Sequence, residues 1–109
     1  MDIEQLRDYC ITMSGSEESF PFGNNTLVFK VNNKIFLLAS LDTQPLQFNV
    51  KCDPEKAIEL RETYPDSVLP GYHMNKKLWN TVIIDGSIST KQICEFMDES
   101  YRLVNKKKR

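Results

Sequence analysis

A chain of 109 residues and 12.7 kDa is long enough for one hydrophobic core and too short for two. Its composition, 40% hydrophobic and 27% charged, is that of an ordinary globular domain and excludes a disordered chain. The formal net charge of −1 hides an asymmetry: residues 1–101 hold nine basic and fifteen acidic residues, whereas Arg102, Lys106, Lys107, Lys108 and Arg109 crowd the end without an acid among them. A body at −6 repels phosphate, so a nucleic-acid partner would have to be drawn by local clusters or by the tail.

In chain order, Asp2 with Gln5 forms a capping box opening a first helix, whose buried stripe is Ile3, Leu6, Cys10 and Met13. Gly15 suits a left-handed turn ending it. Residues 17–25, with Phe20-Pro21-Phe22-Gly23, read as a loop pinned by two aromatic rings. Leu27, Phe29 and Val31 alternate with Thr26, Val28 and Lys30, the period of a strand with one better-buried face. Asn32-Asn33 supplies a two-residue hairpin turn, since asparagine tolerates positive φ. Residues 35–41 are almost continuously apolar, as in a central strand covered on both faces, and Leu46, Phe48 and Val50 mark a third strand.

Asp53-Pro54-Glu55 is a sharp helix start, followed by Ala57, Leu60 and Tyr64 on the buried side and Pro65 at the stop. Residues 68–73 predict a short strand weakened by Pro70 and Gly71, and residues 79–84 a stronger one. Ser89 and Gln92 form a second capping box, and Ile93, Phe96, Met97 and Val104 stripe the last helix. The expected fold is α+β: helix, three strands, helix, one or two strands, helix, with a mainly antiparallel sheet and helices packed against it. Residues 1–105 are expected to form a single domain and 106–109 a basic tail, either a DNA contact or a solvated helix end.

Cys10, Cys52 and Cys94 are odd in number, far apart and without a CxxC pair, which predicts reduced thiols rather than a zinc ribbon or a redox motif. No basic-then-apolar leader opens the sequence, and no apolar run nears the ~20 residues that span a bilayer. The cytoplasm is the expected compartment. His73 is the sole histidine, no G-x-S-x-G elbow accompanies it, no ligand spacing suggests a metal, and four isolated glycines form no phosphate loop. No catalytic residue, metal or cofactor is therefore expected.

Residues 70–82, PGYHMNKKLWNTV, stand apart. They combine a stiff turn (Pro70, Gly71), aromatic rings (Tyr72, Trp79), amides and the adjacent Lys76-Lys77, groups able to stack on bases or contact phosphates. The competing reading is that Tyr72 and Trp79 pack, His73 bonds within its loop, and the lysines are a solvated tip.

This run, together with Tyr9-Cys10, Phe20-Pro21-Phe22-Gly23, Lys51-Cys52-Asp53-Pro54-Glu55, Leu60-Arg61-Glu62, Asp85-Gly86-Ser87 and Ser100-Tyr101, resembles the MmcQ/YjbR family of small bacterial proteins, in order and over nearly the whole chain. Leu78 departs from the pattern, in which a histidine often precedes the tryptophan, so a His pair at this loop is not carried over. The resemblance implies a YjbR-like fold similar to secretion chaperones and to frataxin-like (CyaY-like) proteins, and a DNA-binding role linked to a double wing of β-hairpins. No binding residue comes with it. The candidate DNA contacts inferred from this sequence are Lys51, His73, Asn75, Lys76 and Lys77, with Lys30 and Lys34 flanking the first hairpin; each has a solubilising surface role as its alternative. The functional expectation is a monomeric, non-enzymatic protein that binds DNA weakly and in a salt-sensitive way. The alternative is a chaperone-like adaptor that docks proteins on a sheet face or groove.

Overall fold

The computed structural model describes residues 1–71 and 75–105. Its elements are α1 (Ile3–Ile11), β1 (Glu17–Ser19), β2 (Thr26–Val31), β3 (Lys34–Ser40), β4 (Gln47–Lys51), α2 (Pro54–Thr63), β5 (Val68–Pro70), β6 (Trp79–Ile83) and α3 (Thr90–Val104). The strands form one sheet in the order β1-β2-β3-β4-β6-β5, and every neighbouring pair is antiparallel. This is the α+β architecture expected, with one strand more.

The local signals act as their chemistry dictates. The Asp2–Gln5 capping box closes in both directions, at 2.9 Å each way. Asp53 caps α2 by accepting from Glu55 N–H, with Pro54 at the first helical position. Asn32 and Asn33 take φ of 52° and 64° in the β2–β3 turn. At Ser89 only the forward bond appears, from Gln92 N–H to Ser89 Oγ at 3.1 Å.

The unexpected strand is β1, at the sheet edge. Glu17-Glu18-Ser19 has no apolar alternation to announce it; it is held by pairing with β2 and by Arg7 of α1, which grips both Glu18 carboxylate oxygens. The equally short β5 ends at Pro70, on the opposite edge where a missing N–H costs no ladder bond.

The main core lies between α1, α3 and one sheet face and is built on Leu6, Phe29, Phe36, Leu37, Phe48, Ile93 and Met97. Val28, Leu38 and Trp79 form a smaller cluster with Ile35 and Leu78. A register shift at Phe29/Lys30 leaves Phe36 as an extra residue in β3, so Phe36 and Leu37 both join the main core. Cys10 and Cys52 are buried free thiols, and burial pushes the Cys10 thiol up to about 12. No helix among the described residues is long and apolar enough to cross a membrane.

Asp85-Gly86-Ser87 ties the β6–α3 connection to the start of β5. Asp85 accepts from the Ser87 hydroxyl (2.7 Å), Ser87 N–H (3.0 Å) and the Ser67 hydroxyl (2.7 Å). These bonds, the Ser87 hydroxyl first, hold the carboxyl down to about 2 from its ordinary 3.8. A depressed folded-state value stabilises the fold above the unfolded value and loses that contribution as pH falls through the folded one. Asp85→Asn is therefore expected to lower the urea midpoint at pH 7. Between pH 4 and pH 2 the gap to wild type should narrow, and a constant gap would contradict the assignment.

Candidate nucleic-acid interface

Antiparallel topology gathers the sequence-predicted lysines. β2 and β4 run toward one end of the sheet, where the Asn32-Asn33 turn, the end of β4 and the β5–β6 connection all lie. Lys30 and Lys34 flank the first of these, Lys51 closes β4 in register with Trp79, and Lys76-Lys77 precede β6. α3 ends at the same rim, since the Asn32 amide donates to Asn105 Oδ1 at 2.6 Å. From β2 to β6 this rim spans three strand spacings, about 15 Å, comparable to the ~12 Å width of a DNA major groove.

The lysine tip is built stiffly. Asn75 accepts Lys77 N–H on its side-chain oxygen (3.0 Å) and both Leu78 N–H (3.0 Å) and Trp79 N–H (2.9 Å) on its carbonyl. Arg61 of α2 clamps the tip from behind: one guanidinium nitrogen donates to the carbonyls of Lys76 and Trp79, and Nε donates to Asn80 Oδ1 at 2.7 Å. Asn80, itself buried, donates back to Ala57 O at 3.4 Å, locking strand to helix. Gly71 closes the other side of the loop, with its N–H on Trp79 O at 2.9 Å. A Cβ there would lie 2.7 Å from Trp79 Cβ, so the approach excludes any larger residue.

The electrostatics are one-sided. Lys76, Lys77 and Lys34 are exposed and Lys30 and Lys51 half-buried, and among the described residues none of the five meets a carboxylate within 4 Å. Lys30 does sit opposite Glu17 in register, which offsets its charge more than the others'. Asp53 and Glu55 at the start of α2 are the acids nearest the rim in sequence.

Trp79 is buried, so the packing reading holds for it and no base can stack there. Asn75 has its side-chain oxygen committed to the turn. His73 and Tyr72, and the tail residues 106–109, lie outside the described residues. Among the described residues no group of three or more His, Cys, Asp or Glu is placed to hold a metal ion. Arg61 is the functional residue that sequence reasoning assigned no task. The signal lay in its position four residues after Ala57 and three before Tyr64, on the same helix face, but two of its three targets are backbone carbonyls that no side-chain pattern announces.

The comparisons agree with this architecture. Residues 11–103 match the YjbR family. The uncharacterised YbdF of Escherichia coli O157:H7 is 40% identical over 89 residues, covering 81% of this chain and 71% of that one. The uncharacterised YjbR of Escherichia coli K12 is 34% identical over 103 residues, covering 94% and 86%. The crystal structure of Deinococcus radiodurans DR2400 superposes with a TM-score of 0.92 at 41% identity, covering 96% of this chain and 79% of the other. A Pseudomonas syringae crystal structure shares the fold at a TM-score of 0.78 and 24% identity, covering 95% and 99%. With a family match over residues 11–103 and relatives at 34–40% identity covering 81–94% of its length, the chain belongs to the YjbR family.

Proposed function

We propose that the protein is a non-enzymatic, weak and salt-sensitive DNA-binding module whose contact surface is the lysine rim. The observation carrying this reading is the convergence of Lys30, Lys34, Lys51, Lys76 and Lys77 from three separate stretches of chain onto one end of the sheet, with the exposed Lys76-Lys77 pair on a clamped tip. Holding a backbone rigid beneath two ammonium groups reduces the entropy lost when they meet an anion. The rim offers phosphate contacts and little to read base edges, so binding is sequence-tolerant and falls in the ~10⁻⁴–10⁻⁶ M range. The acidic remainder of the body opposes it.

Duplex binding followed by fluorescence anisotropy across a salt series tests the proposal. Wild type should lose affinity linearly in log–log form, and Lys76→Glu/Lys77→Glu should flatten the slope by about 2, roughly 0.9 per phosphate contact. A chain ending at Asn105 separates rim from tail. Retained affinity in the double mutant with loss in the truncation would move the reader to residues 106–109, and no binding by any form at low salt would remove DNA altogether.

One observation favours the adaptor reading at the other end of the sheet. Phe20 and Phe22 are 46% and 64% exposed, and Leu41, whose N–H bonds Asn25 O at 2.9 Å at the same end of the sheet, is 37% exposed. An apolar patch of this kind suits a protein partner better than a polyanion.

A further inference from the structure

A second site lies away from the tip, between α2 and α3. α3 packs over β3 and β4 while α2 packs against β5, so β6 and the end of β4 lie in a gap between the helices. The gap is a cavity of about 360 Å³, within the range of small-ligand pockets. Val50, Leu60, Val68, Val82 and Phe96 give it an apolar lining.

Its lining carries charges of both signs. The α3 wall carries Glu95 and Glu99, four residues apart and so on one helix face. Like charges at that spacing repel, and among the described residues only Glu99 has a counter-charge within 4 Å, Arg102 at 2.5 Å. The α2 wall carries Lys56 beside the helix start, whose dipole favours an anion, and Lys51 reaches the cavity from the end of β4, where its N–H bonds Ser100 of α3. Asp53 also stands there, with its carboxylate engaged by Glu55 N–H as the helix cap. The thiol of Cys52 lies between the walls and registers both: burial raises it to about 11, Glu99 and Asp53 add to the rise, and Lys56 opposes it.

We infer that this cavity binds a small zwitterion with an apolar side chain, an apolar α-amino acid by chemical class. The carboxylate faces Lys56 and the α2 N-terminus, the ammonium faces Glu95 and Glu99, and the side chain lies against Val68, Val82 and Phe96. A protein partner fits the place poorly. The exposed large apolar residues, Ile11, Phe20, Phe22, Leu41, Ile58 and Leu69, do not line the cavity, so its mouth lacks the ~800 Å² apolar platform of a stable interface. This inference does not need the DNA reading, since it rests on Lys56, Glu95 and Glu99 and shares only Lys51 with the rim.

A ligand of about a dozen heavy atoms at ordinary efficiency binds with a Kd near ~1 mM. The test is amide chemical-shift titration of the full chain with leucine and phenylalanine, alongside 4-methylpentanoate and 3-phenylpropionate (no ammonium) and isoamylamine and phenethylamine (no carboxylate). The amino acids should saturate shifts at residues lining the cavity, with every single-charge analogue at least about tenfold weaker. Glu95→Gln/Glu99→Gln, surface changes that leave the core intact, should weaken the amino acids while the ammonium-free acids, relieved of a repulsion, bind no more weakly than to wild type. Three results would overturn the inference: equal binding of an analogue, saturation at residues elsewhere, or no saturable shift with any of the probes.

Discussion

Ser100→Ala is expected to lower stability by about 2–4 kcal/mol, because two backbone groups lose their partner at once. The Ser100 hydroxyl is fully buried; it donates to Phe36 O at 2.5 Å and accepts Lys51 N–H at 2.8 Å. Phe36 is the extra residue of the β3 bulge and Lys51 is the last residue of β4. Both groups sit where the sheet ladder is interrupted, and one side chain of α3 repairs both. Urea unfolding read by far-UV circular dichroism measures the loss. A shift below about 1 kcal/mol would mean that water replaces the hydroxyl without difficulty.

Arg61→Met carries the second large effect, on the tip as well as on stability. It keeps most of the side-chain length but leaves Asn80 Oδ1 buried without its donor and frees the carbonyls of Lys76 and Trp79. A cost of about 2–3 kcal/mol follows from the buried acceptor and the lost charge-assisted bonds. Arg61→Lys should recover little, since an ammonium cannot reproduce the planar fork that reaches strand and tip together. Trp79 is the sole tryptophan and lies beneath this clamp, so its emission reports the tip directly. A red shift in folded Arg61→Met protein is the expected result, and unchanged emission with unchanged amide exchange at Leu78 would show that Asn75 holds the tip alone.

Local chemistry made most of the fold legible. Asp2, Asp53-Pro54 and Ser89 mark helix starts because capping is satisfied within three residues, and Asn32-Asn33 marks a hairpin because positive φ is a property of the residue itself. β1 was not legible: its pairing comes from β2 and its anchor from Arg7, ten residues upstream and on a helix. The site divides the same way. Lys76 and Lys77 advertise themselves as neighbours, whereas their union with Lys30, Lys34 and Lys51 depends on the strand order, which no short window contains. The cavity between α2 and α3 was invisible for the same reason, because Lys56, Glu95 and Glu99 each read as an ordinary helix surface residue, and Asp53 as a helix cap, until the two helices are placed.

The most direct measurement of the central claim is an amide chemical-shift map of the labelled protein titrated with a short DNA duplex at low salt. Perturbations should concentrate at residues 30–34, at Lys51 and at 75–79, and should fade together as salt is raised. Shifts confined to the Phe20–Asn25 and Leu41 end of the sheet, or insensitive to salt, would contradict it.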